Sequence, residues 1–387
     1  MRRYAPEDEE RIRVQAQVRA WATAGLLGAD QAAVLDARLR TTLRRTNVFL
    51  RAILALFTAF IVAAFVTLVA ISLGITSAAA AAVLLSIAAV SCLALAEFAV
   101  GTYEVYRYGV EEALAAAAAV LAAVAGNRAA HALALPNDTV VAMVVGALSS
   151  LGVYLRFGFV YAAIAAMLLA AVAPFDLEMA EAARHVAAAA ICASIFLWTR
   201  RRRRRIAEDT VQADDDALIH AAAYAGVYAA VNLHLFDAGG ESSSAVDAWF
   251  SWLTYVATWL LPLIGLTLAL RDKDRPLLLV ALASALATLY TNKLYLGWPR
   301  QTWDPILLGV LLVAVATVVR RWLDSGPDGA RHGFTAREIL AGDRAALDAM
   351  VTASALWPQQ PQHAPTTTSP SSFEGGRSGG AGGGATY

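Results

Sequence analysis

The sequence is poor in the groups that do chemistry in water. Charged residues make up 16% of its 387 positions and hydrophobic ones 58%, whereas a soluble globular chain is about a quarter charged. Mean hydropathy is +0.54, so polar surface has been exchanged for surface that faces lipid. The two cysteines, Cys92 and Cys192, both lie inside apolar runs. That excludes a disulfide framework, and each reads as a small buried hydrophobe. No phosphate-cradling Gly-x-x-x-x-Gly-Lys loop, no His-Glu-x-x-His, no Gly-x-Ser-x-Gly and no cysteine pair at metal spacing occurs. These absences exclude ATP-driven pumps and the commonest membrane metalloproteases, and nothing calls for a cofactor or a metal. A cleavable signal peptide is missing too. The first long apolar run begins near Phe49 with no cleavage site after it, so the first span is expected to insert as an uncleaved anchor.

What is present is a succession of apolar runs: Phe49–Ile71, Ala78–Val100, Glu112–Leu135, Thr139–Leu155, Phe157–Phe175, Ala182–Trp198, Ala217–Phe236, Phe250–Leu270, Pro276–Leu296 and Pro305–Val319. Each is close to the length that a hydrocarbon core of about 30 Å requires. The expected fold is all-α, a polytopic transmembrane helix bundle of about ten spans. Residues 1–48 are expected to form a short cytoplasmic helical hairpin, 49–322 the bundle, and 323–356 a cytoplasmic amphipathic segment with a helix from Phe334 to Met350. Residues 357–387, rich in Pro, Ser, Thr and Gly, are expected to be disordered.

Orientation follows from the arginines. Arg107, Arg156, the run Arg200–Arg205, Arg271 with Lys273 and Arg275, and Arg320-Arg321 all fall on one side, and the opposite loops are short and neutral or acidic. The positive-inside rule therefore puts both termini in the cytoplasm of a bacterial inner membrane. Trp249, Trp252, Trp298 and Trp303 supply an outer aromatic belt. The run Arg200–Arg205 beside Asp214-Asp215-Asp216 reads as an anchor on anionic lipid headgroups. It is not a nucleic-acid contact, because no domain presents those arginines.

Before the first span, Val14, Val18 and Trp21 share one helical face. Gly25 suits a helix C-cap, and a second helix starting near Asp30 carries Leu35, Leu39 and Leu43. Such a hairpin can pack on the membrane surface or on a protein partner. Trp21, Ala24-Gly25-Leu26-Leu27, Gln31-Ala32, Leu35 and Leu39, followed directly by many spans, resemble an uncharacterised family of bacterial polytopic membrane proteins, of the domain of unknown function 2157 type. The resemblance implies an N-terminal hairpin and a multi-span body, and no activity.

Few polar groups lie within the spans, and each has a structural reading beside a functional one. Asn127, Arg128 and His131 share a face near the outer end of the third span. An arginine at mid-membrane costs at least ~2.5–3.5 kcal/mol unless solvated or paired, so Arg128 either snorkels or pairs with Asp138 or Glu181, or it binds a ligand. In the seventh span His220, Tyr224, Tyr228 and Asn232 recur every fourth residue, with His234 beyond them. This stripe is either a wetted path or interhelical hydrogen bonding. Asn292 and Lys293, with Tyr290 and Tyr295, mark the ninth span. Together with Arg184, His185 and Arg300 these residues make the outer side less acidic than expected, as an anion-attracting vestibule would. On the inner side Glu104, Arg107 and Glu111 are spaced for one salt-bridged helical face. Glu111 and Glu112 suit a helix N-terminus, and Glu97 is the better candidate for proton coupling.

Three function classes fit these residues. A secondary transporter or permease for a small, anionic solute uses the polar seventh span. A non-catalytic membrane organiser or sensor acts through the N-terminal hairpin. A membrane enzyme acting on lipid-linked substrates would draw on Asp176, Glu178 or Asp237.

Overall fold

The computed structural model describes residues 4–23, 25–205, 211–235 and 247–296, with parts of 309–335. Its helices are α1 (Pro6–Thr23), α2 (Ala29–Arg38), α3 (Val48–Ser72), α4 (Ala78–Tyr103), α5 (Val110–Ala132), α6 (Asp138–Phe157), α7 (Val160–Val172), α8 (Glu181–Arg203), α9 (Val211–Val231), α10 (Ala248–Asp272) and α11 (Arg275–Tyr295). Local signals set their ends. Asn47 Oδ1 accepts from Leu50 N at 2.7 Å to open α3, and Ser77 Oγ accepts from Ala80 N at 3.2 Å to open α4. Gly25, at φ +73°, closes α1 as the sequence predicts: Leu26 N returns to Trp21 O at 2.9 Å and Gly25 N to Ala22 O at 3.1 Å.

Seven helices, α3, α4, α5, α6, α8, α10 and α11, are long and apolar enough to cross a membrane. An all-α chain with that many such helices is compatible with an integral, multi-pass membrane protein. The remaining three expected spans differ. The fifth is only 13 residues of α-helix, about 20 Å at helical rise, before a 3₁₀ turn over Ala173–Asp176 takes over at Pro174. The seventh starts earlier and ends earlier than expected. As α9 it includes Asp214, Asp215 and Asp216, whose three charges leave it without the long, sparsely charged apolar stretch of the seven. The tenth, Pro305–Val319, falls largely outside the described residues. Where a helix is expected from Phe334, Phe334–Thr335 instead pairs antiparallel with Ala330–Arg331 as two short strands, β2 and β1. The rest of that segment and the tail lie outside the described residues.

Small residues bring the helices close. Ala89, Cys92, Ala96 and Val100 form one buried stripe on α4, facing Ala115, Ala118, Ala119 and Ala125 on α5. Helix α6 packs on the far side of α5, where Gly126 leaves no room for a Cβ beside Val145. Short as it is, α7 sits between α6 on one side and α8 and α9 on the other. Helices α8 to α11 close the second half, with the Cys192 sulfur against Gly226. Both cysteines are free and buried.

Helix α3 stands apart. None of its residues is buried, and Phe60, Ile61 and Phe65 are each 65% exposed, as expected of lipid-facing side chains. It is held at its N-terminal end. Arg51 reaches the Glu112 carboxylate of α5 with both Nε (2.6 Å to Oε2) and its guanidinium nitrogen. Gly109, at φ +106°, lies so close beneath that a Cβ there would stand 2.3 Å from the Arg51 carbonyl oxygen.

The hairpin docks on the chain's own helices. Of the Val14–Val18–Trp21 face that the sequence suggests, Val18 is buried and Val14 half-buried, but Trp21 is 40% exposed, so hydrophobic spacing alone does not mark the packed face. Helix α1 buries Glu9, Gln15 and Val18, with Tyr4 ahead of it edge-on to Tyr106 at 4.9 Å. Gln15 donates to Asp36 at 2.8 Å and accepts from Arg45, and Arg13 pairs with Asp214 of α9 at 2.9 Å. Residues 104–109 are not the salt-bridged helix expected there. Glu104 and Arg107 turn left-handed, at φ 52° and 49°, and the loop pairs with Arg44 as one β-bridge. Burial pushes the Tyr106 hydroxyl up to about 12, the nearby Glu9 carboxylate adding to the shift.

Candidate functional site

The polar stripe of α9 is the most elaborate side-chain arrangement in the molecule. His220, Tyr224, Tyr228, Asn232 and His234 are all buried. Threonines on α10 and α11 complete it, and the proton directions follow from which groups are already committed. The Thr288 hydroxyl donates to backbone carbonyls, Thr258 O at 2.8 Å and Ser284 O at 3.0 Å. Tyr228 must therefore donate to Thr288 Oγ1, at 2.9 Å. Asn232 Nδ2 gives its two protons to Tyr228 Oη at 2.9 Å and to Thr291 Oγ1 at 3.0 Å. Thr291 passes on to Ala287 O. Asn232 Oδ1, in a residue 1% exposed, is left without a hydrogen-bond partner among the described residues. An orphaned buried acceptor costs about 1–3 kcal/mol.

Helix α10 runs unbroken from Ala248 to Asp272, but its backbone ladder is altered beside this stripe. Pro262 has no N–H to return to Thr258 O four residues back, and Thr288 Oγ1 supplies that donor from α11. One turn further on, the Tyr224 hydroxyl donates to Leu261 O and itself accepts from the Gly265 amide. A side chain from α9 thus stands in the α10 ladder. Gly265 permits it: a Cβ there would lie 2.8–2.9 Å from the end of the Tyr224 ring. Tyr255 of α10 donates to Asn292 Oδ1 at 2.9 Å, Tyr295 accepts from Leu233 N at 2.9 Å, and His234 packs edge-on against the Tyr295 ring at 4.5 Å. Side-chain hydroxyls and amides thus link the three helices beside an apolar cluster that includes Ala223, Ala269 and Leu277.

A second feature lies where α8, α9, α10 and α11 meet at the arginine-rich end. A cavity of about 690 Å³ opens there, with His220 at its lining. Thr199 fixes that ring: its hydroxyl donates to Phe196 O, so Nδ1 of His220 donates to Thr199 Oγ1 at 3.0 Å, and Phe196 stacks on the ring at 4.0 Å. The arginine run reaches this end of the bundle in an unexpected state. Arg200, Arg202 and Arg203 are paired with Asp272, Asp216 and Asp274, so three of the six arginines assigned to lipid headgroups by sequence are engaged within the protein.

No family model matches the chain, and neither a curated protein nor a solved structure does.

The other candidate residues are distributed. On α5, Asn127 is half-buried and Arg128 exposed, while His131 faces Asp138 at 3.7 Å. The acidic neighbour expected for Arg128 is thus taken by His131. Helix α5 packs on α3, α4 and α6, whereas α9 packs on α7, α8, α10 and α11, so these residues sit in a different neighbourhood from His234 and Lys293. His185 is turned to Ala230 O at 2.7 Å, Lys293 is half-buried, and Arg300 lies outside the described residues. The three glutamates have structural partners. Glu97 makes a two-pronged pair with Arg156 of α6, Oε2 at 2.9 Å from the guanidinium. Glu112 holds Arg51, and Glu111 Oε1 accepts from Tyr108 N at 2.6 Å, tying the loop before α5 to its first turn.

Sequence reasoning missed Thr258, Thr288 and Thr291, along with the cavity residues of α10 and α11. A signal existed for the threonines: Thr254 and Thr258, and Ser284, Thr288 and Thr291, repeat at helical spacing and give α10 and α11 each a polar face.

Proposed function

We propose that this chain is an inner-membrane protein of about ten spans with both termini cytoplasmic, and that α9, α10 and α11 form the solute-handling unit of a secondary transporter. The observation that carries this reading is the altered backbone ladder of α10 at Pro262–Gly265, where the hydroxyls of Thr288 and Tyr224 donate to Thr258 O and Leu261 O. Transporters bind and move solutes where helices near mid-membrane turn backbone groups to polar partners. The hydroxyls that replace ladder bonds can exchange partners without unfolding the helix. Asn232 Oδ1 offers a buried acceptor to a solute that carries a donor. The resemblance of the hairpin to a family of uncharacterised polytopic membrane proteins agrees with this architecture and adds no activity.

Accessibility along α9 tests the reading. With Cys92 and Cys192 replaced by alanine, single cysteines are placed by Tyr224→Cys, Tyr228→Cys and Asn232→Cys. Intact cells and inverted vesicles are then exposed to a membrane-impermeant thiol reagent. Labelling from both sides is the expected result. Protection of all three positions from both sides would reduce the stripe to packing and overturn the transport reading.

A second reading has its own observation. Helix α2 buries none of its residues, and Trp21, Leu26 and Val34 stand exposed on the docked hairpin, a surface that an organiser would present to a protein partner. Protected cysteines on α9, together with loss of phenotype on Trp21→Ser, would favour it.

A further inference from the structure

The cavity at the arginine-rich end carries an imbalance of charge among the described residues. Six cations line it, from Arg200, Arg203, Arg204, Arg271, Lys273 and Arg275, against three carboxylates, from Asp214, Asp272 and Asp274. Each carboxylate is already taken. Asp272 is held by Arg200 at 3.6 Å, Asp274 by Arg203, and Asp214 by Arg13 of the docked hairpin at 2.9 Å. Asp274 also caps α11, accepting from Leu277 N at 3.2 Å. Arg204, Arg271, Lys273 and Arg275 are therefore left with no carboxylate among the described residues, and all four are exposed. They converge on one concavity from the ends of three helices, whereas scattered surface cations point apart. The start of α11 adds the positive end of its dipole to the same place.

We propose that this cavity is a binding site for a phosphate-bearing anion, a phosphomonoester group set among Arg204, Arg271, Lys273 and Arg275. Guanidinium groups match phosphate oxygens two at a time, and a compact ammonium completes the charge. A volume of about 690 Å³ holds more than bare phosphate and lies within the range of small-ligand pockets. The His220 ring at the lining, held in place by Thr199 and Phe196, would meet the organic part of the ligand. Such a group can arrive on a soluble phosphomonoester or as the headgroup of an anionic phospholipid, and both present the same chemistry. The site stands whether or not α9 to α11 transport anything.

The test uses the full-length protein in nanodiscs of phosphatidylcholine, titrated calorimetrically with glycerol 3-phosphate. A parallel preparation from membranes containing phosphatidylglycerol is analysed for lipid retained through purification. The variant is Arg271→Gln with Arg275→Gln, two exposed side chains that hold no carboxylate among the described residues, and Arg38→Gln, exposed at the end of α2, is the control. Saturable binding of glycerol 3-phosphate, weakened at least about tenfold in the double variant and unchanged in the control, supports the site with a soluble ligand. No soluble binding, but phosphatidylglycerol retained by the parent and control and lost by the double variant, supports it with a lipid. Absence of both, or binding that the double variant leaves unchanged, overturns the proposal. Equal melting temperatures of the three proteins exclude misfolding as the cause.

Discussion

If the Tyr224 hydroxyl truly stands in the ladder of α10, Gly265 and Tyr224 must be energetically coupled. Gly265→Ala places a methyl 2.8–2.9 Å from the Tyr224 ring carbons and hydroxyl. The ring is 3% exposed and tied to Leu261 O, so it can move only by giving up that bond. Overpacking of this kind costs ~1–3 kcal/mol, and the displaced hydroxyl about 1 more. The better helix propensity of alanine returns about 1, which leaves a net loss of about 2 kcal/mol. Tyr224→Phe alone removes one hydrogen-bonded hydroxyl and should cost about 1 kcal/mol. In the double variant the hydrogen bond is lost once and not twice, and a ring no longer tied to Leu261 O can tilt away from the new methyl. The two losses should then fall short of their sum by about 1–2 kcal/mol. The four proteins can be compared by reversible SDS unfolding in mixed micelles, followed by far-ultraviolet circular dichroism. Additivity within about 0.5 kcal/mol would mean that residue 265 and the tyrosine ring do not share space, and the account of the altered α10 ladder would fall with it.

Three further predictions concern the other packed features. Gly109→Ala adds a Cβ 2.3 Å from a backbone oxygen at φ +106°, whereas Gly74→Ala, at φ +58°, meets open space. The first should destabilise by roughly 2–4 kcal/mol and the second by about 1, read in the same unfolding assay; equal effects would contradict the close approach of α3. Arg51→Gln strands the buried Glu112 carboxylate and should cost about 3 kcal/mol, most of it restored by adding Glu112→Gln; a second substitution that makes matters worse would show that the pair does not hold α3. The Tyr106 hydroxyl, neutral in the fold up to about 12, ionises in an undocked chain near 10. Its contribution to docking is complete below that value and lost as pH rises through the interval, so spectrophotometric titration should show a late tyrosinate step that Tyr106→Phe removes.

Much of this follows from short-range pattern. Apolar length gives α3, α4, α5, α6, α8, α10 and α11 within a few residues of the expected bounds, because a span must satisfy its own backbone in lipid and its composition records that need. Gly25 as a C-cap, the burial of Cys92 and Cys192, and the fourfold spacing of His220, Tyr224, Tyr228 and Asn232 were equally legible, since each depends on neighbours within a turn or two. Length misled where a run of apolar residues contained its own break: Pro174 stops α7, and Asp214–Asp216 belong to α9 although hydropathy starts the segment at Ala217.

Only the tertiary structure decided what these groups face. Arg51 meets Glu112 across 61 residues of sequence, Glu97 meets Arg156 across 59, and Tyr228 meets Thr288 across 60. No periodicity within one helix encodes the rotation of its neighbour. Three arginines that the sequence assigns to lipid headgroups are held by aspartates on α9, the α10–α11 turn and the end of α10, and the cations left over gather in a cavity that no single segment contains. The sequence determined which stretches are helical and which of their positions are polar. The packing of each helix on the next, close where alanine and glycine meet, determined which of those polar positions bond one another and which have no partner among the described residues.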